Sequence, residues 1–188
     1  MFNQRKMEAG YLEIILGSMK SGKTSRLSEI YKQCKYCNIP VVAINHSDDK
    51  RFDTELMSTH DGIKTPCIST RFLMDIYIDF IDLDNYMNVD RIQHKMAIQM
   101  SDVILINEGQ FFMDIELFVK KMLEKNKRVY VCGLDGDFER KKIGNILDLI
   151  PLCDKVTKLT SLCEKCKDGT PGIFSKRTSN ETEQIVIG

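Results

Sequence analysis

The stretch Gly17-Ser18-Met19-Lys20-Ser21-Gly22-Lys23-Thr24 satisfies G-x-x-x-x-G-K-[ST] at every fixed position. Ordinary residue usage would produce such a match by chance in about one chain in a hundred of this length. Its setting agrees with the pattern. Tyr11-Leu12-Glu13-Ile14-Ile15-Leu16 is a short apolar run ending at Gly17, and residues 23 to about 37 are compatible with a helix. Strand, glycine loop and helix in that order form a phosphate cradle. Glycine lets backbone N–H groups converge on the anion, and a side chain at Gly17 or Gly22 would obstruct that approach. The helix turns its positive dipole end toward the phosphates, Lys23 reaches the β- and γ-phosphates, and the Thr24 hydroxyl is offered to Mg²⁺.

Working outward, Asn38 ends the helix, Pro40 prevents its continuation, and Val41-Val42-Ala43-Ile44 reads as a second buried strand. Residues 45–66 are polar and irregular, and residues 72–100 are mixed, with helical spacing only toward their end. Val103-Ile104-Leu105-Ile106 is a continuous apolar run suited to a central parallel strand covered on both faces. An amphipathic helix over residues 115–125 places Ile115, Phe118, Val119 and Met122 on one side. Residues 128–133 give another strand and residues 146–152 a short apolar helix. The alternation predicts an α/β fold of the P-loop NTPase type, an open parallel sheet with helices on both faces and ligands at the carboxyl ends of the strands. We expect residues 1–155 to form this nucleotide-binding domain and residues 156–188 a small C-terminal lobe, which the family resemblance given below implies to be zinc-ribbon-like with a base-covering loop.

The 188 residues are 43% hydrophobic and 29% charged, an ordinary globular composition. Lys+Arg and Asp+Glu are both 27, so no whole-chain field draws in nucleic acid or an anionic membrane. The polar start and the lack of a long apolar stretch predict a soluble cytoplasmic protein. Seven cysteines without regular spacing fit reduced thiols. Cys34 and Cys37 have C-x-x-C spacing on a helix, where it is commonly coincidental. Cys163 and Cys166 are the better metal candidates. The basic cluster Lys120, Lys121, Lys125, Lys127 and Arg128 lacks aromatic stacking partners and reads as a solvated face. His46, His60 and His94 have no metal-site spacing.

Polar groups follow the strand at 103–106: Asn107-Glu108-Gly109-Gln110-Phe111-Phe112. A carboxylate there can take the proton from an attacking hydroxyl, which makes Glu108 the candidate general base.

These motifs together resemble the thymidine kinases of vertebrate cytosol, bacteria and large DNA viruses. The resemblance rests on the P-loop, on Glu108 to Phe112, on Leu134-Asp135-Gly136-Asp137-Phe138-Glu139-Arg140-Lys141, and on Lys158-Leu159-Thr160 before Cys163-Glu164-Lys165-Cys166. Thr59-His60-Asp61 adds a tripeptide. It implies ATP-dependent phosphorylation of the 5′-hydroxyl of thymidine or deoxyuridine, with Glu108 as catalytic base. ATP and phosphate contacts fall on the P-loop, Asp49, Arg51, Asn107 and Gln110, with Thr24 and Asp49 serving Mg²⁺. Met19, Phe111, Leu134, Phe138 and Ser175 match residues around the nucleoside. Ile185, Val186, Ile187 and Gly188 match the start of the loop that bonds the base through its backbone. The resemblance also implies feedback inhibition by thymidine triphosphate, a homotetramer or homodimer, and a place in nucleotide salvage for DNA synthesis, in the host cytoplasm if the source is viral.

Two features depart from the family pattern. Asn107 stands where the family carries a metal-binding aspartate, and a neutral amide should weaken Mg²⁺ capture. The alternative function is therefore a nucleotide-binding regulatory protein or a weakly active kinase. The family's structural Zn²⁺ takes two cysteine pairs, and only Cys163 and Cys166 are present. The chain is thus expected to be a truncated member ending inside the base-covering loop, its site completed, if at all, by a residue such as Cys153 or a histidine.

Overall fold

In a computed structural model of the chain, residues 9–47, 56–59, 62–77, 89–178, 180–181 and 183–184 are described. In chain order these are β1 (Tyr11–Gly17), α1 (Lys23–Tyr36), β2 (Val41–His46), β3 (Leu56–Ser58), β4 (Lys64–Pro66), β5 (Ile68–Thr70), α2 (Val89–Met100) and β6 (Val103–Ile106). Then come α3 (Ile115–Glu124), β7 (Arg128–Gly133), β8 (Lys155–Leu159), β9 (Ser161–Leu162) and β10 (Pro171–Gly172). Six strands form one sheet in the order β5-β2-β6-β7-β1-β8, and every pairing within it is parallel. The α/β architecture with a central parallel sheet is the one the alternation of elements predicts.

Period-two alternation sorts the sheet's side chains into two cores. Leu12, Ile14, Leu16, Ile104, Ile106, Val129 and Val131 pack with Phe118, Val119 and Met122 of α3 and Ile98 of α2. Ile15, Ala43, Val103, Leu105, Tyr130 and Cys132 pack with Leu27, Ile30 and Cys34 of α1. Burial on both faces is why β6 reads as an unbroken apolar run. The end of α1 is set by Asn38, which adopts a left-handed φ of 55° and lets Ile39 N–H bond back to Cys34 O at 2.9 Å. That closure satisfies carbonyls the helix leaves open.

Several elements differ from the sequence expectation. The polar segment 45–66 contains the β3–β4 hairpin, antiparallel through Met57 and Thr65, because Met57 and Thr65 turn inward while Leu56 and Ser58 are half-buried and Lys64 and Pro66 exposed. The run at 146–152 is a 3₁₀ helix with Pro151 inside. β8 is an edge strand of the main sheet, paired with β1 from Glu13↔Lys155 to Gly17↔Leu159, so the sheet runs to Leu159. Mostly charged and polar, β8 lacks an apolar run and is held instead by a buried carboxylate. Glu13 accepts hydrogen bonds from Lys155 Nζ at 3.0 Å, Thr157 Oγ1 at 2.8 Å and Tyr11 OH at 3.2 Å.

The basic cluster is not a solvated face throughout. Lys127 is buried and donates to the Gln99 and Ser101 carbonyls at the end of α2. Arg128 lies over the rings of Tyr11 and Tyr130. The aliphatic stems and the free carbonyls at a helix end explain both.

Candidate functional site

The carboxyl ends of β1, β2, β6 and β7 bring the polar residues together. After β1 the chain enters the glycine loop, with Lys20 and Gly22 both left-handed, at φ 60° and 87°. The two glycines are needed for different reasons. A Cβ on Gly17 would lie 2.5 Å from the Leu159 carbonyl oxygen and 2.6 Å from Ser21 Oγ, so close packing against β8 excludes it. A Cβ on Gly22 would meet nothing within 4 Å, so what favours glycine there within the chain is the left-handed backbone. Lys23, 8% exposed, donates from Nζ to the Ser18 carbonyl at 2.7 Å. The buried Ser21 hydroxyl has no hydrogen-bond partner among the described residues.

Asn107, 3% exposed at the end of β6, is held on all sides. Its Oδ1 accepts from Thr24 Oγ1 at 3.3 Å and from Cys132 Sγ at 3.0 Å. Its Nδ2 donates to Asn45 Oδ1, at the end of β2, at 2.9 Å. Burial pushes the Cys132 thiol up to about 12, so it stays a neutral donor. The next residue, Glu108, takes a left-handed φ of 53°, a conformation costing roughly 1–2 kcal/mol for a residue with a Cβ. Gln110 Nε2 donates to Glu108 Oε2 at 2.7 Å, and Gln110 Oε1 accepts from Leu134 N–H at 3.0 Å. One buried amide thus ties the Glu108 carboxylate to the chain leaving β7. The Gln110 carbonyl is itself approached so closely by Gly144 that a Cβ there would overlap it.

The described sequence-predicted residues fall into several sets of contacts. Glu108, Gln110 and Leu134 are linked by hydrogen bonds, as are Thr24 and Asn107. Met19 N–H donates to Ser175 Oγ at 2.9 Å. Phe111 and Phe112 flank the buried His46 ring, with centroids 5.5 and 4.8 Å away. Phe138 carries the Arg177 guanidinium 4.0 Å from its centroid. Asp49, Arg51, His60, Asp61, Ile185, Val186, Ile187 and Gly188 lie outside the described residues.

Sequence reasoning missed Asn45, Cys132 and Arg177, whose types carry no motif. It also missed the contact between the glycine loop and the C-terminal segment. Ser18 Oγ donates to Gly172 O at 2.8 Å and lies 3.2 Å from Ser161 Oγ, and Lys20 pairs with Glu164.

Cys163 and Cys166 adjoin, with Cys166 N–H 3.5 Å from Cys163 Sγ. Hydrogen bonds from the backbone and side chain of Cys166 hold the Cys163 thiol below its ordinary range. Among the described residues no group of three His, Cys, Asp or Glu side chains is placed to hold a metal ion. Cys34 is a core residue and Cys37 is exposed at the end of α1. No described helix is long and apolar enough to cross a membrane.

A parallel sheet with a G-x-x-x-x-G-K-[ST] loop between β1 and α1, and a carboxylate at the end of a central strand, defines a P-loop-like α/β protein. The thymidine kinase family model matches residues 10–188. The chain is 37% identical over 183 residues to the thymidine kinases of vaccinia virus (strain Western Reserve) and of variola virus. It is 36% identical over the same length to that of sheeppox virus. In each case 97% of this chain and 91% of the relative are covered. The chain belongs to the thymidine kinase family.

Proposed function

We propose that the chain transfers the γ-phosphoryl group of ATP to the 5′-hydroxyl of thymidine or deoxyuridine. The observation that carries this reading is the Glu108–Gln110–Leu134 chain of hydrogen bonds. It joins a candidate base to the backbone beside the proposed nucleoside pocket, one residue from the Thr24–Asn107 pair. Steadied by Gln110, the Glu108 carboxylate would take the 5′-hydroxyl proton as the hydroxyl oxygen meets the γ-phosphorus. The glycine loop and Lys23 hold the triphosphate, and the Ser21 hydroxyl is a further polar group within that loop. Met19, Phe111, Leu134, Phe138 and Ser175 enclose the pyrimidine, where aromatic faces and a few fixed polar atoms suit a flat base.

Thr24 donates its hydrogen to Asn107, which leaves its oxygen lone pairs for a hard cation, so the oxygen donors suit Mg²⁺ arriving on the nucleotide. Mg²⁺ bound there would neutralise phosphate charge. Thr24 would ligate it, with Asp49 as the proposed carboxylate. Cys163 and Cys166 supply two thiolates where a structural zinc site wants four ligands. No third joins them among the described residues, and no step depends on zinc.

A second reading follows from Asn107. Its amide nitrogen faces Asn45, and a neutral amide offers a cation less than a carboxylate would at this position, so turnover would be slow and nucleotide binding the main activity. Cytoplasmic location, feedback by thymidine triphosphate and a tetrameric or dimeric assembly belong to the same proposal. So does the division into a nucleotide-binding domain and a small C-terminal lobe. A coupled ATP-consumption assay across the four common deoxynucleosides and deoxyuridine, with and without Mg²⁺, tests it. Consumption with thymidine and deoxyuridine alone is expected. Nucleotide binding without consumption for any pyrimidine would favour the second reading.

A further inference from the structure

We propose that Arg177 is a positioning residue that sets thymidine affinity by fastening the segment leading to Gln184 to the base-stacking ring of Phe138. The proposal rests on the pyrimidine pocket described above. The Arg177 guanidinium lies 4.0 Å from the Phe138 ring centroid. The same group donates from Nη1 to the carbonyls of Glu181, at 3.1 Å, and Glu183, and from Nη2 to that of Gln184 at 3.2 Å. These three carbonyls lie in a stretch with neither helix nor strand, where a backbone acceptor needs a donor from elsewhere. A planar fork with five N–H groups can stack on a ring and serve several carbonyls at once, and an ammonium cannot.

Two further contacts join the same segments. Gln184 Nε2 donates to Asp137 Oδ2 at 2.8 Å and to Lys142 O at 3.2 Å. Asp137 Oδ1 accepts from the Glu139 and Lys141 amides, both at 2.9 Å, and so shapes the turn that carries Phe138. In the reverse direction, Arg140 of that turn lies 4.3 Å from the Phe174 centroid. Each segment therefore lays an arginine on a phenylalanine of the other. Arg177 covers one face of Phe138, and a pyrimidine stacks on the opposite face.

Equilibrium dialysis of the full chain with radiolabelled thymidine, and separately with ATP, tests this without relying on turnover. Arg177→Ala is expected to weaken thymidine on the order of tenfold, from the loss of the ring contact and charged hydrogen bonds. Arg177→Lys should restore little of it. ATP binding should stay unchanged, and amide exchange at residues 180–184 should accelerate in both variants. Phe138→Ala is the control for the pocket. If Phe138→Ala loses thymidine while both Arg177 variants bind like the parent, the inference fails and the pocket stands. Parallel loss of ATP and thymidine with a lowered melting temperature would reduce Arg177 to a structural role and overturn the inference. If Phe138→Ala binds normally, the pocket reading falls and the inference falls with it.

Discussion

Replacing Asn107 by aspartate exchanges one NH₂ for one oxygen at the floor of the site and adds a charge. One carboxylate oxygen keeps the bonds from Thr24 and Cys132. The other would face Asn45 Oδ1 across the present 2.9 Å, and the pair can bond again if the Asn45 amide turns to donate. With that bond restored, the cost is a carboxylate buried at a position now 3% exposed. We expect about 1–3 kcal/mol of destabilisation without metal. At roughly 2–4 °C per kcal/mol for a chain of this size, the melting temperature should drop by about 2–12 °C. With Mg²⁺ the sign reverses. Mg²⁺ on Thr24 would lie about 4 Å from the new charge, worth about 8 kcal/mol for a divalent ion at an effective dielectric of 20 before desolvation. Even one sixth of that lowers the Mg²⁺ concentration for half-maximal phosphorylation about tenfold. Thermal unfolding with and without Mg²⁺–ATP, and Mg²⁺ titration of thymidine monophosphate formation, measure both. If Asn107→Asp leaves the Mg²⁺ requirement unchanged, or melts lower in both states, Asn107 does not face the cation.

Gly144→Ala forces a Cβ into the Gln110 carbonyl at a left-handed φ of 56°. The variant should lose about 2 kcal/mol or more of stability and most of its activity, because Gln110 carries Glu108. Urea unfolding and initial rates check this. Burial pushes the Glu13 carboxyl up, but bonds from Lys155 and Thr157 and the Lys155 charge outweigh it and hold it below its ordinary 4.5. A folded value below the unfolded one contributes stability above pH 4.5 that is lost as pH falls through the lower folded value. Glu13→Gln should therefore melt lower than the parent at pH 7, with the difference closing below pH 4.5. Burial also raises the Cys34 thiol to about 11 and Cys132 to about 12. Iodoacetamide at pH 7.5 should modify Cys163, whose thiol is held low, and the exposed Cys37 first, and Cys34 and Cys132 only after denaturation, as mass spectrometry of the peptides would record.

What was legible beforehand follows a physical division. β1, β6, β7 and α3 are apolar runs or stripes whose burial dominates every competing preference, so their pattern alone locates them. The glycine loop is legible because phosphate chemistry demands fixed residue types at fixed spacing. β8 was not, since a strand anchored by Lys155 and Thr157 on a buried Glu13 has no apolar signature. Lys127 misled because its charge suggested solvent, whereas α2 ends in carbonyls that need a donor. Asn45 and Arg177 were invisible for another reason. Their importance comes from partners 62 residues away at Asn107 and on a distant turn at Phe138, and no local pattern encodes a long-range contact.

The central claim is that Glu108, steadied by Gln110, is the base for phosphoryl transfer to a pyrimidine deoxynucleoside. It is tested most directly with γ-³²P-labelled ATP, Mg²⁺ and thymidine, comparing the parent chain with Glu108→Gln. We predict labelled thymidine monophosphate from the parent and a rate lower by about 10²-fold or more in the variant, with thymidine binding retained. A Glu108→Gln variant as fast as the parent would contradict the account.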